Sequence, residues 1–252
     1  MKYFRIYCIF ILALSLFACQ SNSSATIEII EPVVELDADN GLRGHVTFET
    51  NLPSQATVML KSGDHEVEIP AETLPTTHHK FHLLGLHAET TYQVIIQVTY
   101  ESGGQTTNND FTLSTKALPD DFPPIDVTIN KPRHTQTGIT LFNIFRWTPK
   151  RDGQWGYLIG VDKVGKVVWY QKADCIVNFV GVSRQDTLLY LCRGGNAIEM
   201  SMHGEIVYEW TPTLFSPVIR RFHHELIELT NGHIVAIGGK NETHAQRLIQ
   251  WC

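Results

Sequence analysis

Between residues 27 and 115, apolar and polar side chains alternate with a period of two almost without interruption. Val46-Thr47-Phe48-Glu49-Thr50, Ala56-Thr57-Val58-Met59-Leu60 and the run from Tyr92 to Tyr100 show it most clearly. Successive side chains of a strand point to opposite faces, so this pattern describes strands with one buried and one wet face. Turn formers interrupt it at Asp39-Asn40-Gly41 and Ser62-Gly63-Asp64. Several short strands at that spacing predict a β-sandwich. No segment carries a convincing 3.6-residue period.

Leu86-His87-Ala88-Glu89-Thr90-Thr91-Tyr92 stands just before a strong strand pattern. It resembles the Leu-x-x-x-Thr-x-Tyr turn of fibronectin type III domains, in which the tyrosine hydroxyl closes a corner. Thr50-Asn51-Leu52-Pro53 fits the same family. His78, His79 and His82 lie between, with Lys80 and Phe81 as neighbours and no carboxylate at ligand spacing. They read as exposed strand histidines, and no metal site is expected. Residues 116–124 hold Pro119, Pro123 and Pro124 with Asp120 and Asp121. Such a segment predicts a stiff, extended linker and a boundary near residue 120.

Beyond the linker the sequence repeats. Gly138-Ile139-Thr140-Leu141, Gln185-Asp186-Thr187-Leu188 and Gly232-His233-Ile234 align at steps of 47 and 46 residues. Inside the units, the stretch from Tyr157 to Trp169 matches that from Ala197 to Trp210, each a hairpin with glycine in the turn, at Gly165 and Gly204. A third copy starts at Arg247-Leu248-Ile249-Gln250-Trp251, and the sequence stops at Cys252. Repeats of ~40–50 residues built from four short strands are the size of a propeller blade. Residues 125–252 thus predict an incomplete β-propeller of about two and a half blades. Even four blades need ~160–200 residues, so the chain is expected to be the N-terminal fragment of a larger protein.

The first residues add an export signal. Lys2 and Arg5 precede an apolar run from Ile6 to Phe17, shorter than the ~20 residues that span a bilayer. Leu16-Phe17-Ala18-Cys19 resembles a bacterial lipobox, with Phe17 an atypical member. Residues 1–18 are expected to be removed as a lipoprotein signal peptide, residues 19–26 to serve as a tether, and Cys19 to carry a lipid anchor in the periplasm or outer membrane. The remaining 234 residues carry 18 basic and 26 acidic side chains, which points away from nucleic acid. Cys175 and Cys192 either pair or remain as buried free thiols.

Arg221-Phe222-His223-His224-Glu225 runs into an apolar strand and the turn Asn231-Gly232. A histidine, an acid, a strand and an Asn-Gly turn resemble the signature of bacterial aryl-sulfate sulfotransferases, although Thr230 stands where that signature has proline. The Tyr157–Trp169 hairpin is similar to that family's first blade. The order of exported N-terminus, small β-sandwich, linker and propeller is also the family's. The resemblance implies a propeller of about six blades and nucleotide-independent sulfate transfer from an aryl sulfate to a phenol through a sulfohistidine, with no cofactor. His224 matches the signature histidine, with a role in sulfate binding or proton transfer. His223 ranks second, because period two turns it to the opposite face. Arg220 and Arg221 are candidates for substrate binding. The family's nucleophilic histidine lies in later blades, so this chain alone is expected to be inactive. His203 and His233 fall at turns and read as solvated; His45, His65, His87, His134 and His244 have no partners that argue for chemistry. The competing reading is a surface lipoprotein that binds a glycan or a protein without catalysis.

Overall fold

The computed structural model describes residues 26–100, 103–128, 131–134, 136–146, 154–193, 195–215, 219–240 and 246–250. The export signal, Cys19, the tether up to residue 25, His244, Trp251 and Cys252 lie outside them.

The N-terminal unit contains Ile29–Leu36 (β1), Gly44–Ser62 (β2), His65–Ile69 (β3), Thr76–Leu83 (β4), Thr91–Thr99 (β5) and Gln105–Ser114 (β6). The two patterned runs Val46–Thr50 and Ala56–Leu60 are one strand, not two. β2 is 19 residues long. Its first half pairs with β1 and β4, with Val46 opposite Val34 and Phe81. Its second half pairs with β3 and β5, with Val58 opposite Ile69 and Ile96. Pairing with β4 shifts register between Glu49 and Ser54, around Pro53, which has no N–H to give a ladder. The strand thus passes from one layer of the sandwich into the other. Val46, Val58, Leu60, Val94 and Ile96 are fully buried between the layers, each contributing about 1.5–3 kcal/mol by leaving water.

The Tyr92 corner forms as expected: the buried hydroxyl accepts a hydrogen bond from the His87 N–H at 2.8 Å. His79 departs from expectation. It is buried rather than exposed, stacks on Phe48 at 4.5 Å and bonds Glu72 through Nδ1 at 2.7 Å. The carboxylate partner sits seven residues upstream, across a loop where strand spacing cannot reveal it. A buried polar ring satisfied on both sides is a packing element.

The C-terminal unit is three antiparallel sheets. Thr140–Arg146 (β7), Trp155–Val161 (β8) and Val167–Ala173 (β9) make the first. Val177–Val182 (β10), Leu188–Cys192 (β11), Ala197–Met200 (β12) and Ile206–Trp210 (β13) make the second. Ile219–Glu228 (β14), Ile234–Lys240 (β15) and Gln246–Gln250 (β16) make the third. The sequence repeat falls on equivalent strands: Leu141, Leu188 and Ile234 lie at the starts of β7, β11 and β15. β10 and β14 are then the leading strands of their sheets, and β10 packs between β7 and β14. This is the side-by-side blade arrangement of a propeller.

Blade contacts are close. Asn143 Nδ2 donates to the Val177 carbonyl at 2.7 Å. A Cβ on Gly156 would lie 2.6 Å from the Cys175 carbonyl oxygen, so only glycine lets the first two sheets meet there. At the far ends of the leading strands, the Arg184 N–H donates to Glu228 Oε2 at 2.6 Å, and its guanidinium to the Thr230 carbonyl.

The proline-rich segment is extended but is not a free spacer. Asp121 accepts from the Tyr157 hydroxyl at 2.8 Å and from Lys172 Nζ at 2.6 Å. The Phe122 ring meets Tyr157 and Tyr170 edge-on. The sandwich also docks directly on the blades: Asn40 donates to the Tyr170 carbonyl, Arg43 to Gln171, and His87 shares a 2.8 Å contact with Asp162. His203, expected to be solvated, is half-buried and stacks on His82 at 3.8 Å across this junction. His65 likewise stacks on His87 at 3.8 Å. His203 and His87 thus have partners, His82 and Asp162, that only the docked domains bring together.

Candidate functional site

β14 leads the third sheet and carries the sequence candidates. Phe222 and Leu226 are fully buried and pack with Leu189 and Leu191 of β11, which fixes the strand against the neighbouring blade. Strict alternation would place His223 and His224 on opposite faces. The ladder breaks that rule. His223 stands opposite Ile237 and Leu226 opposite Ala236, so three steps on β14 match one step on β15. His224 and Glu225 are therefore extra residues in a β-bulge. His224 takes a φ of 64°, a left-handed conformation uncommon for a residue other than glycine.

The bulge turns the two imidazoles toward each other. Their centroids lie 3.9 Å apart at an interplanar angle of 67°. The expectation that His223 faces away from His224 is thus overturned, because inserted residues reset the two-residue period. His224 is exposed, whereas His223 is half-buried. The Nδ1 atom of His223 is buried and has no hydrogen-bond partner among the described residues. Burial lowers its pKa below the ordinary histidine value, and the nearby His224, Arg221 and Arg193 act in the same direction. A neutral imidazole with a free nitrogen is the result, able to donate or accept one hydrogen bond.

Arg221 flanks the pair. It stands opposite Gly239, and its side chain runs over that glycine, with Cγ 3.1 Å from where a Cβ would be. A larger residue at 239 would crowd the guanidinium. Arg220 is exposed on the same strand but is not among the charges that act on His223. The structure adds Arg193, which periodicity and motif spacing do not single out. It follows Cys192, and Cys192 is bonded to Cys175. Of the two states left open for these cysteines, the disulfide is the one formed.

A half-buried neutral histidine, an exposed histidine and two guanidiniums suit a tetrahedral oxyanion. Guanidinium forks match sulfuryl oxygens, and imidazole can supply a further donor or take a proton. Among the described residues no three His, Cys, Asp or Glu side chains are placed to hold a metal ion.

The C-terminal unit matches the family model described as arylsulfotransferase (ASST) over residues 124–249. The sandwich matches the arylsulfotransferase Ig-like domain over residues 40–116. The chain belongs to the arylsulfotransferase family. The first match contains β7 to β15 entire, including the bulge and both flanking arginines; the second contains the Tyr92 corner. No curated protein matches the chain. A crystal structure of a protein of unknown function from Bacteroides caccae is similar at 9% identity and a TM-score of 0.27, covering 79% of this chain and 73% of that one. A likeness at that level supports no functional statement. Among the described residues no helix is long and apolar enough to cross a membrane.

Proposed function

We propose that this arylsulfotransferase-family chain binds the sulfate ester of an aryl sulfate at the His223–His224 bulge of β14, for transfer to a phenolic acceptor without a nucleotide. The observation that carries the reading is the bulge itself. It holds a non-glycine residue at positive φ, against a steric cost of about 1–2 kcal/mol, and so brings two imidazoles and Arg221 to one place. Glu31 of β1 also takes a positive φ at a bulge, so it is the pairing of such strain with two imidazoles and a guanidinium that supports a site at β14.

In the transfer this implies, a histidine nitrogen forms a bond to sulfur while the S–O bond to the aryl oxygen breaks, and the departing phenolate keeps that electron pair and takes a proton. The N–S bond then breaks as the acceptor phenol's oxygen bonds sulfur and releases its proton. Such a step needs donors around three sulfuryl oxygens and a proton source for the phenolate. Arg221 supplies the first. His224, exposed and adjacent to the neutral His223, supplies or relays the proton. The residues named here account for ester binding and for the proton, and binding is the step expected of the 252 residues by themselves.

Titration of the chain with 4-nitrophenyl sulfate, followed by NMR, tests this. Binding that weakens in His224→Ala and Arg221→Ala supports the site. Absence of binding removes it and leaves the non-catalytic glycan- or protein-binding reading. Release of 4-nitrophenol with transfer of its sulfuryl group to a second phenol would show turnover beyond the binding expected here. Export and lipidation at Cys19 belong to the same proposal and rest on the Lys2–Cys19 pattern. Labelled palmitate incorporated by the intact chain but not by Cys19→Ser is the expected result.

A further inference from the structure

We infer that Arg193 is a second sulfate-ester-binding cation of the His223–His224 site, and that the Cys175–Cys192 disulfide holds it there. The inference rests on the site proposed above and adds a residue from the neighbouring blade.

The strand directions place Arg193 at the correct end. The turn after β10 meets the end of β14, through Arg184 with Glu228 and Thr230. The beginnings of β10 and β14 therefore share the opposite end. Cys192 pairs with Val177 at the beginning of β10, and His223 lies five residues into β14. β11, which ends at Cys192, packs against β14 through Leu191 and Phe222. Arg193 thus leaves β11 at the end where β14 begins, and its charge reaches the His223 ring at the bulge further along that strand.

Its backbone is fixed on both sides. The Arg193 N–H donates to the Ile176 carbonyl at 2.7 Å, and the Cys192 N–H to the Asn196 carbonyl at 3.0 Å. The disulfide joins the residues adjoining that contact, Cys175 before Ile176 and Cys192 before Arg193, with Cα atoms 5.5 Å apart. The side chain itself is exposed, and no protein carboxylate is paired with it among the described residues. A guanidinium on a pinned backbone, with no carboxylate partner among the described residues and with its charge felt by a buried imidazole whose Nδ1 also lacks a partner, is arranged for an anion. With Arg221 on β14, it gives two forks from two blades, which fits an oxyanion with three exposed oxygens.

The test uses the full chain with 4-nitrophenyl sulfate and, separately, inorganic sulfate. Arg193→Gln is expected to raise the dissociation constant about ten- to hundredfold, as loss of one charge-assisted hydrogen bond does. Arg193→Lys should recover part of that. Reducing the disulfide with a phosphine, or replacing both cysteines by alanine, should weaken binding in the wild-type chain and leave Arg193→Gln unaffected. In the free protein, Arg193→Gln should also move the His223 titration upward in NMR, a readout that a purely structural arginine would leave in place. Unchanged affinity in Arg193→Gln, with binding still lost in His224→Ala, overturns this inference and spares the site. So does weakening by reduction of equal size in both backgrounds. No binding by the wild-type chain overturns the site and the inference together.

Discussion

At residue 224, glycine should be more stabilising than alanine, the reverse of the order at an ordinary strand position. In a strand interior glycine is the poorer residue by about 0.5–1 kcal/mol, because it loses more backbone freedom on folding. His224 has a φ of 64°, where a Cβ costs about 1–2 kcal/mol. Both substitutions remove the same ring contact with His223 and the same exposed side chain, so those contributions cancel between them. His224→Gly should then exceed His224→Ala by about 0.75 kcal/mol, the centre of a range of roughly 0–1.5 kcal/mol, after glycine's own entropy is subtracted. Urea unfolding reads the difference. With a slope of about 2 kcal/mol per molar, the midpoints separate by roughly 0.3–0.5 M. Ile227, exposed on the same strand and paired in regular register with Val235, is the control, and there alanine should win. Both 224 variants should lose aryl-sulfate binding alike. If His224→Ala matches or exceeds His224→Gly, the backbone at 224 is not left-handed and the site reading loses its main support.

Tyr92→Phe removes the acceptor for the buried His87 N–H; an unpaired buried donor costs about 1–3 kcal/mol, and a fall in Tm of about 5 °C is expected by calorimetry. Gly156→Ala places a methyl 2.6 Å from the Cys175 carbonyl, so urea unfolding should show a loss of about 1–3 kcal/mol from overpacking; wild-type stability would mean that the first two sheets are not in contact. Burial lowers the pKa values of His82 and His203 below 6.5, with Lys80, His45 and Arg43 acting in the same direction and Glu205 and Asp37 against it. The folded state therefore prefers both rings neutral: its stability is complete above pH 6.5 and is lost as pH falls through the lowered values. Urea midpoints should decline on acidification from pH 7 to 5, and more shallowly in His203→Gln; an equal slope in both proteins contradicts the junction described.

Much of the fold was legible because it is built by period two. The alternation over residues 27–115 is the sandwich, and the steps between Leu141, Leu188 and Ile234 are the spacing of the sheets. Tyr92 was legible because a corner motif is local. What escaped was non-local. The bend that makes one strand of Val46–Thr50 and Ala56–Leu60 depends on which neighbours each half meets. The partner of His79 is Glu72, brought in by a loop. His87 and His203 looked idle because their partners, Asp162 and His82, lie on the other domain. The proline-rich stretch read as a spacer because an aromatic contact such as Phe122 on Tyr170 leaves no trace in spacing.

The candidate site shows the same division within a few residues. His224 was identifiable from its neighbours in sequence, since the acid, strand and Asn-Gly turn follow it directly. Its relation to His223 was not, because period two gives the wrong answer at a bulge. A bulge is set by the partner strand's register: only the pairing of His223 with Ile237 and of Leu226 with Ala236 reveals that two residues have been inserted. The consequence reaches beyond orientation. Had the ladder continued regularly, His224 would share the face of Phe222 and His223 would stand apart from it, its lowered pKa that of a partly buried ring. Turned against His224 and left with an unpartnered Nδ1, the same residue becomes a neutral imidazole with hydrogen-bonding capacity to spare.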